Sequence, residues 1–428
     1  MVILKVNNSY SQIIGLQEAD FKSLRTLLSY KTGSYFSGFG IQIKYMIDRR
    51  GEFPSGLLHR VQAFLKAVRL PYSLQDKRIQ PKAAQGTWKG VKPYKAQAEA
   101  LKQALNNRRG IISMPTGSGK SFVIALIASR LNVKTLVVVP SLEIRSQLRE
   151  ALAAFKCDMA NIAIENIDSA KLKTMTGFDC LIVDEAHHAA AATYRRLNKT
   201  AWKGIYYRFM LTATPFRTNT EETLLFEGVA GQVIYELTYK DAVKDGYIVP
   251  VEAYYLESPA ISNDYYTYNE VYANLIVKNE ARNLMIAQTL AALNAEQKST
   301  LCLVKEVAHG ETLSKLTGFH FVNGQDEESR KYITMFNKEI IKVLIGTQGV
   351  IGEGIDTRPC EFVIIAGIGK AKSAFMQMVG RCLRRFESKK SGKVILIKDK
   401  SHKFALTHFR HQCKIMREVY GTKPERLK

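Results

Sequence analysis

Eight consecutive residues, Met114-Pro115-Thr116-Gly117-Ser118-Gly119-Lys120-Ser121, combine what a loop needs to hold a phosphate group. Glycines let the backbone close in, its N–H groups point at the anion, and an apolar helix that follows adds its positive end. In such a loop Thr116, Gly117, Ser118 and Gly119 cradle the phosphates of a nucleoside triphosphate. Lys120 reaches the β and γ phosphates, and the Ser121 hydroxyl ligates Mg²⁺. Met114 stands where the general pattern has a glycine. Asp184 and Glu185 follow 64 residues after Lys120, at the end of the apolar run Cys180–Val183. Asp184 suits a Mg²⁺-holding carboxylate, and Glu185 suits the group that orients and activates the attacking water. His187 and His188 come next without any further Cys/His cluster, so a metal centre is not implied. His187 is expected instead to link the nucleotide site to Thr212 and Thr214. Near the C-terminus, Gln377, Arg381 and Arg384 form a third group. ATP hydrolysis builds negative charge on the γ-phosphate, and arginines three apart on one helix face could meet it. A Gly-rich stretch, Thr347 to Asp356, is weak evidence by itself, although glycines there permit close backbone approach.

These groups need elements that present them together. Strand-like and helix-like patterns alternate through most of the chain, which predicts an α/β fold with parallel sheets. Strands are expected up to Ser113, over Leu136–Val139, Cys180–Val183 and Phe209–Leu211, with a helix over Phe122–Leu131. A second series begins with a helix from Asn279 to Leu293 and strands over Thr300–Val304, Val343–Ile345, Phe362–Ala366 and Val394–Ile397. Active groups then lie at the C-terminal ends of parallel strands, where open α/β sheets bind ligands. The first 85 residues read as a small α+β unit: a strand, a helix over Glu18–Leu28, a hairpin around Asp48–Gly51 and a helix over Leu57–Val68. The expected domains are 1–85, 86–238 and 239–428. The tyrosine-rich stretch 251–275 is either packing or a base-stacking surface.

Composition bounds the partners. The chain has 428 residues and a net charge of +23. Residues 1–90 carry 14 basic against 5 acidic groups and residues 370–428 carry 17 against 4, leaving the middle at only +1. Positive charge concentrated at both ends points to a polyanion, because neutralising phosphates releases counterions. No apolar run approaches the roughly 18–20 residues needed to span a bilayer, so no membrane partner is expected. Six scattered cysteines without a Cys-x-x-Cys pair indicate neither zinc nor disulfides and fit a reduced, cytoplasmic setting. Nothing implies an oligomer, and a monomer is expected.

Together these motifs resemble superfamily 2 helicases of the DEAH-lettered kind, over about residues 90–400. The resemblance implies two tandem RecA-like domains, use of ATP and Mg²⁺, and movement along nucleic acid. It implies that Gln97 reads adenine and that Gly354 and Asp356 act on the nucleotide side. Pro140, Ser141, Arg145 and Thr347 would track a strand, and Thr212 and Thr214 would couple hydrolysis to movement. Gln377, Arg381 and Arg384 match the family's final motif. Within the superfamily the chain is most similar to UvsW-type branch-migration helicases of large tailed phages, and more distantly to XPB-like helicases. The N-terminal segments Gly40–Asp48 and Phe53–Leu58 and the run Asn279-Glu280-Ala281-Arg282-Asn283 carry that likeness. It implies a duplex-binding N-terminal domain, in which Arg49 and Arg50 are candidate DNA contacts, and host cytoplasm if the chain is phage-encoded.

The expected activity is ATP-dependent unwinding or branch migration of forked and four-way-junction DNA. The rivals are an RNA helicase on the same fold, a duplex-DNA translocase subunit of a restriction or repair complex, and a non-catalytic DNA-binding module. Phosphate contacts alone do not separate DNA from RNA.

Overall fold

In the computed structural model the described residues are 1–32, 42–82, 86–185, 191–213, 220–324, 326, 328–352, 357, 359–367, 369, 371–387 and 389–427. They divide into two compact units. One comprises Met1–Met114 and Gly119–Leu237, the other Pro115–Ser118 and Thr238–Lys428.

Among the described residues the first unit contains two larger sheets and a two-stranded ribbon, Ser29–Thr32 with Gln42–Tyr45. Its larger sheet has six parallel strands, in the order Val233–Glu236, Arg109–Ser113, Tyr207–Thr212, Cys180–Val183, Thr135–Val139 and Ile162–Asn166. Strands such as Thr-Leu-Val-Val-Val are buried along their whole length, as a parallel sheet covered by helices requires. The smaller, N-terminal sheet runs Glu52–Pro54, Tyr10–Ile14, Val2–Val6 and Tyr72–Asp76. It packs against helices Glu18–Leu27 and Leu58–Ala67, close to the expected bounds.

The expected hairpin at Asp48–Gly51 is not one. Gln42–Tyr45 pairs with Ser29–Thr32, whereas Glu52–Pro54 pairs with Tyr10–Ile14, so the turn carries the chain from one sheet to another. The Asp48 carboxylate accepts from the N–H groups of Arg50 and Glu52, which fixes the turn locally. Gly51, at φ +77°, is required there because a Cβ would lie 2.1 Å from the Ile13 carbonyl oxygen.

The N-terminal sheet is fastened to the larger one. Helix Thr220–Ala230 gives Leu224 and Leu225 to the N-terminal core and Phe226, Val229 and Ala230 to the core of the six-stranded sheet. Arg60 makes a two-pronged pair with Glu227 on that helix, and His59 lies 3.4 Å from the same carboxylate. The buried Arg208 guanidinium, in the strand that ends at Thr212, donates to Ser9 Oγ, Asn198 Oδ1 and the Trp202 carbonyl.

The second unit is a seven-stranded sheet with every pairing parallel. Its order is Phe321–Val322, Val343–Thr347, Thr300–Val304, Phe362–Ile365, Gly392–Lys398, Val251–Glu257 and Glu425–Arg426. The fold class is therefore α/β with two parallel-sheet domains and a small α+β N-terminal part. Among the described residues no helix is long and apolar enough to cross a membrane, and no His/Cys/Asp/Glu cluster could hold a metal ion. All six cysteines are free and buried.

Candidate nucleotide site and arginine motif

In the first unit, adjacent parallel strands bring the motifs to one edge. Ser113 is in register with Thr212, and Val183 with both Val138 and Met210. Met114, Asp184, Thr212 and Pro140 therefore leave neighbouring strands at their C-terminal ends. Two bonds bind this edge: the Met114 N–H donates to the Thr212 carbonyl at 3.0 Å and the Asp184 N–H to the Val138 carbonyl at 2.9 Å. Helix Lys120–Leu131 starts at the end of the phosphate loop, and Gly119 caps it at φ +91°.

The Lys120 ammonium is buried and lies 3.0 Å from Glu185 Oε1. It also lies 3.5 Å from the Met114 carbonyl oxygen. Burial pushes the Asp184 carboxyl well above the usual carboxylate range, and the adjacent Glu185 pushes the same way, while Lys120 opposes them. Glu185 itself has φ +44°, a left-handed backbone that an L-residue adopts only where its surroundings hold it. A buried cation already neutralised by a carboxylate, next to a carboxyl short of positive charge, fits a site built for a phosphate and Mg²⁺. The Ser121 hydroxyl and Asp184 would hold the ion, which would supply charge neutralisation.

The Gln97 side chain lies against this loop. A Cβ on Gly119 would come 2.4 Å from Gln97 Nε2, so the glycine makes room for the amide. Gln97 Oε1 in turn accepts from the Tyr94 N–H at 3.0 Å, capping helix Lys95–Asn107. Ser141 caps helix Leu142–Ala154 by accepting from the Ile144 N–H, and Arg145 pairs with Glu165 at 3.3 Å. His187 and Thr214 lie outside the described residues, as do Gly354 and Asp356 in the second unit.

The arginine motif departs from the expected geometry. Helix Lys372–Gly380 carries a buried Gln377 and stops before Arg381, which is buried as its C-terminal cap. Arg384 is not on a helix face at all. It forms an antiparallel bridge with Ile248, and the Val249 N–H donates to the Leu383 carbonyl. Pairing with a segment far away in the chain has replaced the i, i+3 helical relation. Thr347 ends its strand beside Val304 and is buried.

Sequence reasoning missed two features of the second unit. Lys305, directly after strand Thr300–Val304, lies 5.2 Å from the Tyr268 ring centroid and 4.9 Å from that of Tyr272. Tyr272 is itself buried, so that part of the tyrosine-rich stretch is packing, whereas Tyr266 is 83% exposed. The other feature is a buried polar network in the Asn279–Asn283 run. Arg282 donates to Asp399 at 2.9 Å and to the Ala366 carbonyl at 2.7 Å, while Asn283 Oδ1 meets His309 Nε2 at 3.0 Å. Polar residues opening an apolar helix were the available signal.

This network carries a pH dependence. Burial first, and the Arg282 charge second, push the His309 imidazole down to about 3. The unfolded chain binds a proton near pH 6.5, so below that pH it holds more protons than the folded state. The stability contributed by neutral His309 is complete above about pH 6.5 and falls by up to about 1.4 kcal/mol per unit as pH drops towards about 3. Thermal melts at pH 7 and pH 5 should show this loss, and His309→Gln should shrink it.

Comparisons with known proteins bear on the family and the fold. Residues 90–176 and 168–217 match the family model of the type III restriction enzyme res subunit, and residues 276–386 match the helicase conserved C-terminal domain. The chain belongs to the superfamily 2 helicases. It is 22% identical to the ATP-dependent DNA helicase uvsW of Enterobacteria phage T4, over 88% of this chain and 86% of that protein. It is 25% identical to putative helicase 22 of Sulfolobus islandicus filamentous virus, over 67% of this chain and 60% of that protein. A DNA 3'-5' translocase XPB2 of Sulfurisphaera tokodaii is 31% identical over 34% of this helicase chain and 36% of its own. The helicase thus spans from about a third to most of the length of these relatives. In fold it is similar to a fragment of a putative HsdR subunit of a type I restriction enzyme from Vibrio vulnificus, with TM-score 0.61, 16% identity, and coverage of 96% of this chain and 81% of that one.

Proposed function

We propose that this helicase hydrolyses ATP to move along DNA and remodels forked and four-way-junction substrates. The observation that supports this most directly is the pairing of buried Lys120 with partly buried Glu185 beside Asp184. Without nucleotide, Lys120 is neutralised by Glu185. When phosphate enters, Lys120 exchanges that carboxylate for it, and Glu185 is released to orient the attacking water. Hydrolysis competence is then tied to occupancy. Gln377, Arg381 and Arg384 stabilise charge on the transferred phosphoryl group, and Thr212 relays the state of the site. Gln97 reads the base. Pro140, Ser141, Arg145 and Thr347 follow the strand.

The exposed Arg49 and Arg50, at the tip of the turn fixed by Asp48, hold flanking duplex. Replacing both with glutamine should weaken DNA binding and lower its salt slope by about two, leaving DNA-independent ATPase intact. Filter binding across a salt series checks this, and loss of basal ATPase in that variant would refute it.

The reading as a whole is tested by ATPase rates at fixed moderate salt. Four-way-junction DNA, linear duplex, single-stranded DNA and single-stranded RNA are compared, with Lys120→Ala as the blank. Strongest stimulation by the junction supports branch remodelling. Equal stimulation by RNA, or no advantage of the junction over linear duplex, removes the substrate assignment.

A further inference from the structure

Outside the four-stranded N-terminal sheet stands a separate two-stranded antiparallel ribbon, Ser29–Thr32 with Gln42–Tyr45. Its facing pairs include Ser29 with Tyr45, Tyr30 with Lys44 and Lys31 with Ile43. Directly facing residues share a face, so Lys31, Ile43 and Tyr45 lie on one side and Tyr30 on the other. Tyr30 is buried in the N-terminal core, whereas Lys44, which faces it, is exposed. The opposite side is open: Ile43 is 51% exposed and Tyr45 40%. The Arg25 guanidinium backs the Tyr45 ring at 3.9 Å, and exposed Lys31 faces Ile43. Between Asp20 and Asp48 the sequence contains no acidic residue, but holds Lys22, Arg25, Lys31 and Lys44.

A lone exposed isoleucine says little. An aromatic and an aliphatic side chain together, flanked by cations in a stretch of sequence that holds no acid, have the chemistry of a surface that packs on a base while its charges take phosphates. In continuous duplex each base pair is covered by its neighbours. An open π-face exists where pairing stops, at a fork or junction. We infer that this ribbon face contacts the branch point itself: Ile43 and Tyr45 pack on the last base pair, and Arg25 and Lys31 hold the phosphates beside it. The inference rests on the branched-DNA reading above and names the element that recognises the branch.

The test is equilibrium binding of the full chain to a forked DNA and to a continuous duplex of equal length and composition. Ile43→Ser with Tyr45→Ser should cut the preference for the fork by about fivefold or more. Tyr45→Phe, which keeps the ring, should retain it. Ile43→Asp, at a half-exposed position, serves as the second variant and should also lose the preference. Lys31→Gln should lower the salt slope by about 0.9. Unchanged fork preference in the serine and aspartate variants, with wild-type melting temperature, overturns the inference. ATPase without DNA separates the two levels. Its absence from the wild-type chain defeats the proposed function, whereas normal ATPase with unchanged fork preference defeats the ribbon alone.

Discussion

Lys120→Ala is expected to abolish ATP turnover, by at least about 100-fold, while leaving the chain folded. The ammonium lies 3.0 Å from Glu185 Oε1, and its removal takes away the group that would meet the phosphates. It also removes the cation that opposes the rise of the buried Asp184 carboxyl, so nucleotide binding should weaken along with turnover. Glu185→Gln should behave differently. It preserves shape and nucleotide binding but removes the base, lowering turnover by about 10²–10⁴. Arg384→Ala should likewise bind nucleotide and lose turnover, by about 10³ or more. A fluorescent nucleotide titration beside an ATPase assay distinguishes these patterns. Retained turnover in any one variant removes that residue from the proposed chemistry.

The largest effect on stability is expected at Arg282. This residue and Asp399 are both buried, 117 positions apart in sequence, and are joined by two hydrogen bonds. Arg282 also satisfies the Ala366 carbonyl, so one side chain ties helix Glu280–Ala295 to the ends of strands Phe362–Ile365 and Gly392–Lys398. Arg282→Ala leaves the Asp399 charge unpaired in the interior, at a cost of about 3–5 kcal/mol. The double variant Arg282→Met, Asp399→Leu removes both charges and should recover most of that loss. Denaturant titrations of the two variants decide the matter. Equal destabilisation by both would show that packing rather than charge pairing holds the helix.

The candidate site was legible where its chemistry is contiguous. A phosphate loop works through successive backbone N–H groups and the residues beside them, so Gly117, Gly119, Lys120 and Ser121 can be nominated as its members without the rest of the chain. The strands were equally legible, since Thr135–Val139 and Cys180–Val183 are runs of apolar residues that fit only a doubly covered sheet. Arg384 was misplaced for the converse reason. Its spacing from Arg381 suits a helix, but the Leu383–Arg384 backbone bonds to Ile248–Val249 instead, and local spacing carries no record of such a partner. The turn at Asp48 misled in the same way, because a tight turn reads identically whether its strands pair with each other or with two other strands.

By itself the sequence determined the fold class and the concentration of positive charge at both ends, and it nominated the candidate phosphate loop with its acidic neighbours. These follow from local periodicity and composition, which short stretches of chain carry in full. Tertiary structure alone decided that Lys120 is paired with Glu185, that Gln97 rests on Gly119 and that Arg208 reaches Ser9, 199 positions away. It also decided that the Arg282–Asp399 pair is buried and that Ile43 and Tyr45 face solvent. Such contacts depend on which distant elements come to lie side by side. A buried charge reveals its partner only once the chain has folded around both.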